Sequence, residues 1–129
     1  MIEVIKYIAD DGTEFEDEQE CVEYEFSCEA EKLEGRVWLF DYRHNPMDIR
    51  DYGSYEDCHY IFLADDRASD ALADLWPDFC CYYPRDLRNA KKGLWAYDED
   101  HDNWYHMGDR IRAIEEEANL CMAHINEGI

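Results

Sequence analysis

The sequence predicts an α+β fold, with a mostly antiparallel sheet of about five strands and two longer helices and one short helix packed on it. Three observations favour this class. Strand-like and helix-like segments follow one another in the order β-α-β-β-α-β-β-α. Hydrophobic residues make up 47% of the chain and aromatic residues 15%, which is too much apolar material for a disordered acidic chain. No linker or repeat interrupts the 129 residues, so we expect one domain, 1–129, with one core.

Short apolar runs predict the strands. Ile2 to Ala9 forms the first, with Ile2 and Val4 buried, and Asp10-Asp11-Gly12 follows as a turn. Two more strands are predicted over 36–42 and 58–64, and the second is nearly all apolar, which favours the centre of the sheet. Segments 94–97 and 104–107 form a hairpin. Residues 79–83 are either a short strand or a packed loop.

Helical periodicity predicts the other elements. The first helix covers 14–34, with Thr13 as its N-cap, Glu16 completing a capping box and Gly35 ending it. A short helix runs from Asp65 or Asp66 to residue 76, where Pro77 stops it. The last helix begins at an Asp109 cap and ends at 126. We expect it to pack on the core through its regular apolar stripe. That stripe consists of Ile111, Ile114, Ala118, Cys121 and Ile125.

The first helix carries most of the interest. Residues 14–34 contain ten acidic side chains and one basic one, Lys32. Its predicted inward face is Phe15, Val22, Phe26, Ala30 and Leu33, with a smaller apolar strip at Cys21, Tyr24 and Cys28. Two sets of carboxylates run between these faces. The long acidic row is Glu16, Glu20, Glu23, Glu31 and Glu34, and the short acidic row is Glu18, Glu25 and Glu29.

These rows are the candidate partner-binding residues. Carboxylates three or four residues apart repel by a few tenths of a kcal/mol per pair, roughly 0.2–0.5, so such rows are either simply solvated or used as a surface. Carboxylates of the long row follow one another every 5–6 Å or so along the axis. That spacing is close to the repeat of phosphates along a nucleic-acid strand, so a rigid row could occupy a channel built for a phosphate backbone.

The net charge limits the classes of partner that the chain is expected to bind. The chain has 33 acidic and 12 basic residues and a formal charge of -21. Such a surface repels phosphate, so direct binding of nucleic acid or of an anionic membrane is not expected, whereas a basic protein is a favourable partner. The N-terminal segment shows no secretion signal and no apolar run reaches the roughly 20 residues needed to span a bilayer, so we expect a cytoplasmic protein.

Catalytic and metal motifs are weak. Asp98, Asp100 and Asp102 are spaced like the start of a calcium loop, but Asn103 stands where glycine is required, so an acidic hairpin turn is the better interpretation and these residues join the partner-binding candidates. Cys58, His59, His44 and the Cys80-Cys81 pair lack zinc-site spacing. We expect thiols, no cofactor, no metal and no enzymatic activity.

One stretch resembles a known class. The segment Tyr7-Ile8-Ala9-Asp10-Asp11-Gly12-Thr13-Glu14-Phe15, followed by Cys21 and Tyr24-Glu25, is similar to an N-terminal pattern of small proteins encoded by phages and prophages. With its size and charge, the chain is similar in kind to anti-CRISPR and anti-restriction proteins, several of which mimic DNA. The resemblance covers about a fifth of the chain and implies a host bacterial cytoplasm, but no particular binding residue.

The sequence therefore predicts an acidic inhibitor that binds a basic nucleic-acid-processing complex, most specifically a phage anti-CRISPR protein that acts as a nucleic-acid mimic. Two alternatives stay open. The first alternative is an immunity protein that neutralises a basic toxin. The second is a non-enzymatic structural phage protein whose charge keeps it in solution. Neither the target, the oligomeric state nor the choice between competitive and allosteric inhibition follows from the sequence.

Overall fold

The computed structural model describes residues 3–76 and 84–128, and it confirms the α+β class. Three helices accompany a five-stranded antiparallel sheet and a separate two-stranded one. In chain order the elements are β1 Tyr7–Ile8, β2 Glu14–Phe15, α1 Glu18–Glu31, β3 Val37–Asp41, β4 Pro46–Met47, β5 Cys58–Leu63, α2 Ala68–Leu75, β6 Gly93–Asp98, β7 Asn103–His106 and α3 Met107–Glu127.

The main sheet has the strand order β4-β3-β5-β6-β7, so the apolar strand β5 lies at its centre as predicted. Side chains alternate between its two faces. Leu39, Ile61 and Trp95 stand opposite one another on the inner face, while Trp38 and Phe62 pair on the outer face and are largely exposed. The predicted hairpin strands are confirmed to within one residue at each end.

The core lies between the inner face of the sheet and the helices α1 and α2. Ile61, Leu63 and Leu72 are fully buried there, together with Tyr55, whose hydroxyl donates a hydrogen bond of 2.6 Å to the carbonyl oxygen of Ile49. Ala68 and Leu72 of α2 point inward, as the periodicity predicted. This core fixes the positions of α1 and α2 relative to each other.

The first helix starts four residues later than predicted. Gly12 adopts φ +92°, which only glycine tolerates easily, and the turn it makes brings Glu14 and Phe15 back against Ile8 and Tyr7 as a second strand. The predicted capping box at Thr13 is therefore wrong. Asp17 is the N-cap instead, and its carboxylate accepts a 2.8 Å hydrogen bond from the N–H of Gln19.

Its packing also differs from the predicted face. Ala30 and Leu33 are buried and Phe26 packs against the core, but Val22 is 42% exposed and Cys21 is buried in its place. Helical periodicity places Cys21 opposite the predicted inward face, and that prediction holds only for a helix that packs on one flat surface. The N-terminal hairpin of β1 and β2 supplies a second surface for α1, and this surface is absent from any single-stripe analysis.

The prediction that the last helix packs on the core is wrong. Every residue of α3 from Arg110 onward is exposed, including the stripe residues Ile111, Ile114 and Ile125, each of which is more than half exposed. Its N-cap is His106, not Asp109. The Nδ1 atom of His106 accepts the N–H of Asp109 at 3.1 Å, and its Nε2–H donates to the carbonyl oxygen of Lys92 at 3.0 Å.

Two sequence-based predictions lie outside the described residues. These are the Pro77 stop after α2 and the assignment of 79–83 as a strand or packed loop. The same holds for Cys80 and Cys81 as candidate zinc ligands.

Candidate protein-binding surface

The two acidic rows lie on opposite sides of α1. Glu23 and Glu31 of the long row face the loop at 48–53, with Glu20 one turn before Glu23, Glu16 in the bend before the helix and Glu34 in the turn after it. Glu25 and Glu29 of the short row project on the side that faces α2, and Glu18 lies in the first turn of the helix. Because α1 has only 14 residues, about 21 Å at ~1.5 Å per residue, the long row is shorter and less regular than a continuous helix over 14–34 would give.

The C-terminal half of the long row is already neutralised within the chain. The guanidinium group of Arg50 lies 3.7 Å from the carboxylate of Glu31, 3.8 Å from that of Glu34 and 3.2 Å from that of Asp48. These three carboxylates share one cation, which reduces the negative potential that this end of α1 offers to a partner. No periodic pattern predicts this contact, because Arg50 lies in an irregular loop.

The N-terminal end of α1 is different. Glu16, Glu18 and Glu20 are exposed and have no ion pair or hydrogen bond within the described part of the chain. Glu18 and Glu20 lie in the first turn, where the positive end of the helix dipole favours carboxylates by roughly 0.3–1 kcal/mol each. Acidic side chains at this end therefore stabilise α1 while staying open to a partner.

The short row borders a groove between α1 and α2. The groove has a volume of about 960 Å³, and its floor is apolar. Side chains from α1, α2 and the turn after α1 form that floor. They are Val22, Phe26, Leu33, Ala71 and Leu75. The groove could not be predicted from local sequence patterns, because it forms only where two helices and the β1–β2 turn meet.

The rim of this groove is acidic. Its carboxylates come from the β1–β2 turn, from α1 and from α2, and they are Asp10, Asp11, Glu25, Glu29 and Asp74. The hydroxyl of Tyr24 donates a hydrogen bond to Asp11, which lowers the pKa of that carboxyl and raises the pKa of Tyr24, so Asp11 keeps its charge. Glu25 accepts the backbone N–H of Asp10 at 3.1 Å, which ties the turn to α1.

The two cations at this groove are both paired. Lys32 lies 2.9 Å from the carboxylate of Glu29, and Arg36 makes a two-pronged contact with Asp65 at 3.0 and 3.1 Å. The same holds more widely, since at least seven of the twelve Lys and Arg side chains lie within 4 Å of a carboxylate. These seven are Lys6, Lys32, Arg36, Arg50, Lys91, Arg110 and Arg112. The surplus of acid therefore determines the field at the surface.

The aspartates of the β6–β7 hairpin form a second group, at the β7 edge of the main sheet. Asp98 is the least accessible of them: His101 lies 2.9 Å away and Arg110 3.5 Å away, and the hydrogen bond from His101 lowers the pKa of Asp98. Asp102 accepts a hydrogen bond from the hydroxyl of Tyr97. Asp100 is exposed. Asp98 and Asp102 thus have partners within the chain, and only Asp100 points freely outward.

The histidines, cysteines and carboxylates were predicted to form no metal site. In 3–76 and 84–128, no three His, Cys, Asp or Glu side chains converge as a metal site would require. His44 contacts the hydroxyl of Tyr60 at 3.2 Å, and His59 contacts Glu99 at 2.9 Å on the far side of the sheet. Cys58 is buried. His44 and His59 thus have different partners, and Cys58 and His59 line one cavity with Tyr97 and Asp102.

The described helices were also compared with the requirements of a membrane span, and none of them is both long enough and apolar enough to cross a bilayer. In comparisons with known proteins, no family, no curated protein and no solved structure matches this chain.

Proposed function

We propose that this protein is an acidic inhibitor that binds a basic segment of a nucleic-acid-processing complex in the cytoplasm of a bacterial host, most specifically as a phage anti-CRISPR protein. The observation that carries the proposal is the apolar groove between α1 and α2 with its acidic rim. Lys and Arg side chains combine an aliphatic stem with a charged end, so a basic segment fills such a groove with its stems and meets the rim with its charges.

The surrounding charge supports the same partner. At least seven cations are neutralised within the chain, whereas Glu16, Glu18 and Glu20 remain open beside the groove helix. A net charge of -21 also accelerates encounter with a basic surface. Inhibition follows because the segments that bind nucleic-acid phosphates are themselves rich in Lys and Arg, so a protein that holds them excludes the DNA or RNA. No chemical step is required of the inhibitor.

The direct test measures target-DNA binding by a panel of purified, guide-RNA-loaded CRISPR effector complexes with and without this protein. We expect at least one effector to lose DNA binding, and inhibition to weaken as salt rises, because the screening length falls to about 10 Å at 0.1 M ionic strength. No inhibition across the panel, or inhibition that does not depend on salt, contradicts the proposal. Tight binding to a basic toxin instead establishes the alternative role as an immunity protein.

Three matched triple variants locate the contact. Glu25→Gln, Glu29→Gln and Asp74→Asn neutralise three carboxylates of the groove rim while keeping hydrogen-bond acceptors. Glu16→Gln, Glu20→Gln and Glu23→Gln neutralise the long row, and Glu115→Gln, Glu116→Gln and Glu117→Gln remove the same charge from α3. Because close charge pairs across interfaces couple by about 1.5–7 kcal/mol, we expect the rim variant to lose at least about tenfold in affinity. Equal losses in all three variants show that net charge alone matters.

A further inference from the structure

In the described residues, helix α3 is held to the rest of the chain through its first turn. His106 caps it, Asp109 pairs with Lys91, and Arg110 lies 4.4 Å from the centre of the Tyr105 ring and 3.5 Å from Asp98. From Ile111 onward every described residue of the helix is exposed. Residues 111–127 are 17 of its 21 residues, so about 25 Å of helix at ~1.5 Å per residue extends from this short anchor.

The exposed part carries an apolar stripe with a seven-residue repeat. Ile111, Ile114, Ala118, Cys121 and Ile125 alternate in steps of three and four residues, which places them at the a, d, a, d and a positions of a heptad. A helix in a protein gains most of its stability from packing such a face. In the described residues nothing packs on this face of α3. The pattern is the one that pairs helices along a narrow line of contact.

We propose that the partner of this stripe is the same stripe on a second copy of the chain, in a parallel two-stranded coiled coil. Charge decides the orientation. Arg110 and Glu117 occupy g positions, and Glu115 and Met122 occupy e positions. In a parallel pair each g residue meets the e residue five positions later on the other helix, so Arg110 meets Glu115 and Glu117 meets uncharged Met122.

The antiparallel arrangement is less favourable. No antiparallel alignment pairs all five stripe residues with stripe residues of the second copy, as the parallel one does. The alignment centred at Glu116 leaves Ile125 without a stripe partner and brings Glu115 against Glu115 and Glu117 against Glu117, and the alignment centred between 119 and 120 places Ile111 opposite Gly128. Like charges in these positions destabilise a coiled coil, whereas the parallel arrangement has none facing each other. The small side chains of Ala118 and Cys121 allow two helices to approach closely in the middle of the stripe. The stripe is short, so the association is reversible.

The parallel arrangement places Cys121 directly opposite Cys121 of the second copy. Helix axes about 8–10 Å apart and a Cα radius of about 2.3 Å bring facing Cα atoms to roughly 3.4–5.4 Å. That range overlaps the roughly 4.4–6.8 Å that a disulfide requires. Cys121 is exposed in the single chain, so an added oxidant such as a copper–phenanthroline catalyst with dissolved oxygen can reach it; it removes two electrons and two protons from the thiol pair as the S–S bond forms.

The test combines sedimentation with oxidative cross-linking of the full chain. We expect a reversible monomer–dimer equilibrium and an oxidised dimer that is lost in Cys121→Ser. Ile114→Asp places a charge in the stripe and should raise the dissociation constant at least about tenfold. Leu120→Asp is the matched control, because Leu120 is 66% exposed on the same helix but lies off the stripe.

Each other outcome overturns the proposal. A monomer at every concentration shows that α3 pairs with something else or folds onto its own sheet, and a dimer that resists Ile114→Asp uses another surface. A dimer that depends on Ile114 but is not cross-linked through Cys121 is antiparallel. Salt separates this result from the proposed inhibition: screening reduces repulsion between two copies of charge -21 and strengthens the dimer, whereas it weakens binding to a basic partner.

Discussion

Helices α1 and α3 are both rich in glutamate, yet the fold treats them in opposite ways. The apolar residues of α1 are scattered around its circumference, and still Cys21, Ala30 and the following Leu33 are buried. The apolar residues of α3 form a regular stripe, and none of them is buried. Amphipathic spacing therefore shows what a helix is able to bury, but not whether its own domain supplies the surface.

The difference follows from how each helix is connected. α1 lies between β2 and β3, so strands hold both of its ends, and α2 and the β1–β2 hairpin pack beside it. α3 follows β7 at the edge of the sheet, and in the described residues its first turn supplies the contacts that hold it. A helix held at both ends is forced against the core even when its face is irregular. A helix held at one end has no such constraint and keeps its stripe for another surface.

The largest expected effect is the loss of stability on removing the buried side chain of Leu33, which is compared with removal of the exposed side chain of Ile114. Leu33→Ala should lower the free energy of unfolding by about 2–5 kcal/mol, because it leaves a cavity where a 5% exposed side chain packed. Ile114→Ala removes a side chain that is 56% exposed and should change the free energy of unfolding by no more than about 0.5 kcal/mol. Denaturant unfolding at a protein concentration below that of dimer formation measures both.

A large fall in the free energy of unfolding of Ile114→Ala under those dilute conditions contradicts the contrast between a packed α1 and an unpacked α3, since it requires α3 to pack on its own domain in solution. A small loss in Leu33→Ala does the same for α1. Ile is a poorer helix former than Ala by a few tenths of a kcal/mol, about 0.4, so a slight gain in stability for Ile114→Ala agrees with an unpacked α3.

The same contrast explains what the sequence could predict. Strands β3, β5, β6 and β7 were located to within one residue at each end, because a continuous apolar run and a turn rich in Asp and Asn are strong local signals. The predicted strand over 2–9 is wrong in extent, since only Tyr7–Ile8 is a strand and Val4 is 66% exposed, and β2 and β4 were not predicted. The positions of Cys21 and Val22 could not be predicted, because they depend on the hairpin of β1 and β2 that packs beside α1. The acidic residues themselves were identified, but the groove and the neutralising contact of Arg50 depend on residues distant in the chain.

A smaller effect separates the two candidates for the cap of α1. Asp17→Ala removes the acceptor for the N–H of Gln19 and should cost about 0.5–2 kcal/mol in the free energy of unfolding. Thr13→Ala should cost less, because Thr13 precedes β2 and lies outside the helix. Thermal or denaturant unfolding compares the two variants. A larger loss for Thr13→Ala would restore the capping box that the sequence suggested and place the start of α1 near Glu14.

The smallest expected effect concerns the anchor of α3 and depends on pH. Hydrogen bonds from Lys91, and then from Arg112, lower the pKa of Asp109 below 3.8. The folded protein therefore holds this proton less readily than the unfolded chain. The contribution of Asp109 to stability is fully present above about pH 3.8 and is lost as the pH falls through its lowered pKa. Asp109→Asn keeps the shape of the side chain but removes the charge at every pH.

We therefore expect wild type to melt at a slightly higher temperature than Asp109→Asn near neutral pH, and the two melting temperatures to converge as the pH falls well below 3.8. Glu116→Gln is the control, because Glu116 lies on the same helix and has no ion pair in the described residues. Its difference from wild type should not follow the titration of Asp109. A difference between wild type and Asp109→Asn that stays constant with pH would show that shape, and not charge, holds the first turn of α3. The ion pairs are exposed, so the effect is small, and it is confined to the one end of α3 that the domain holds.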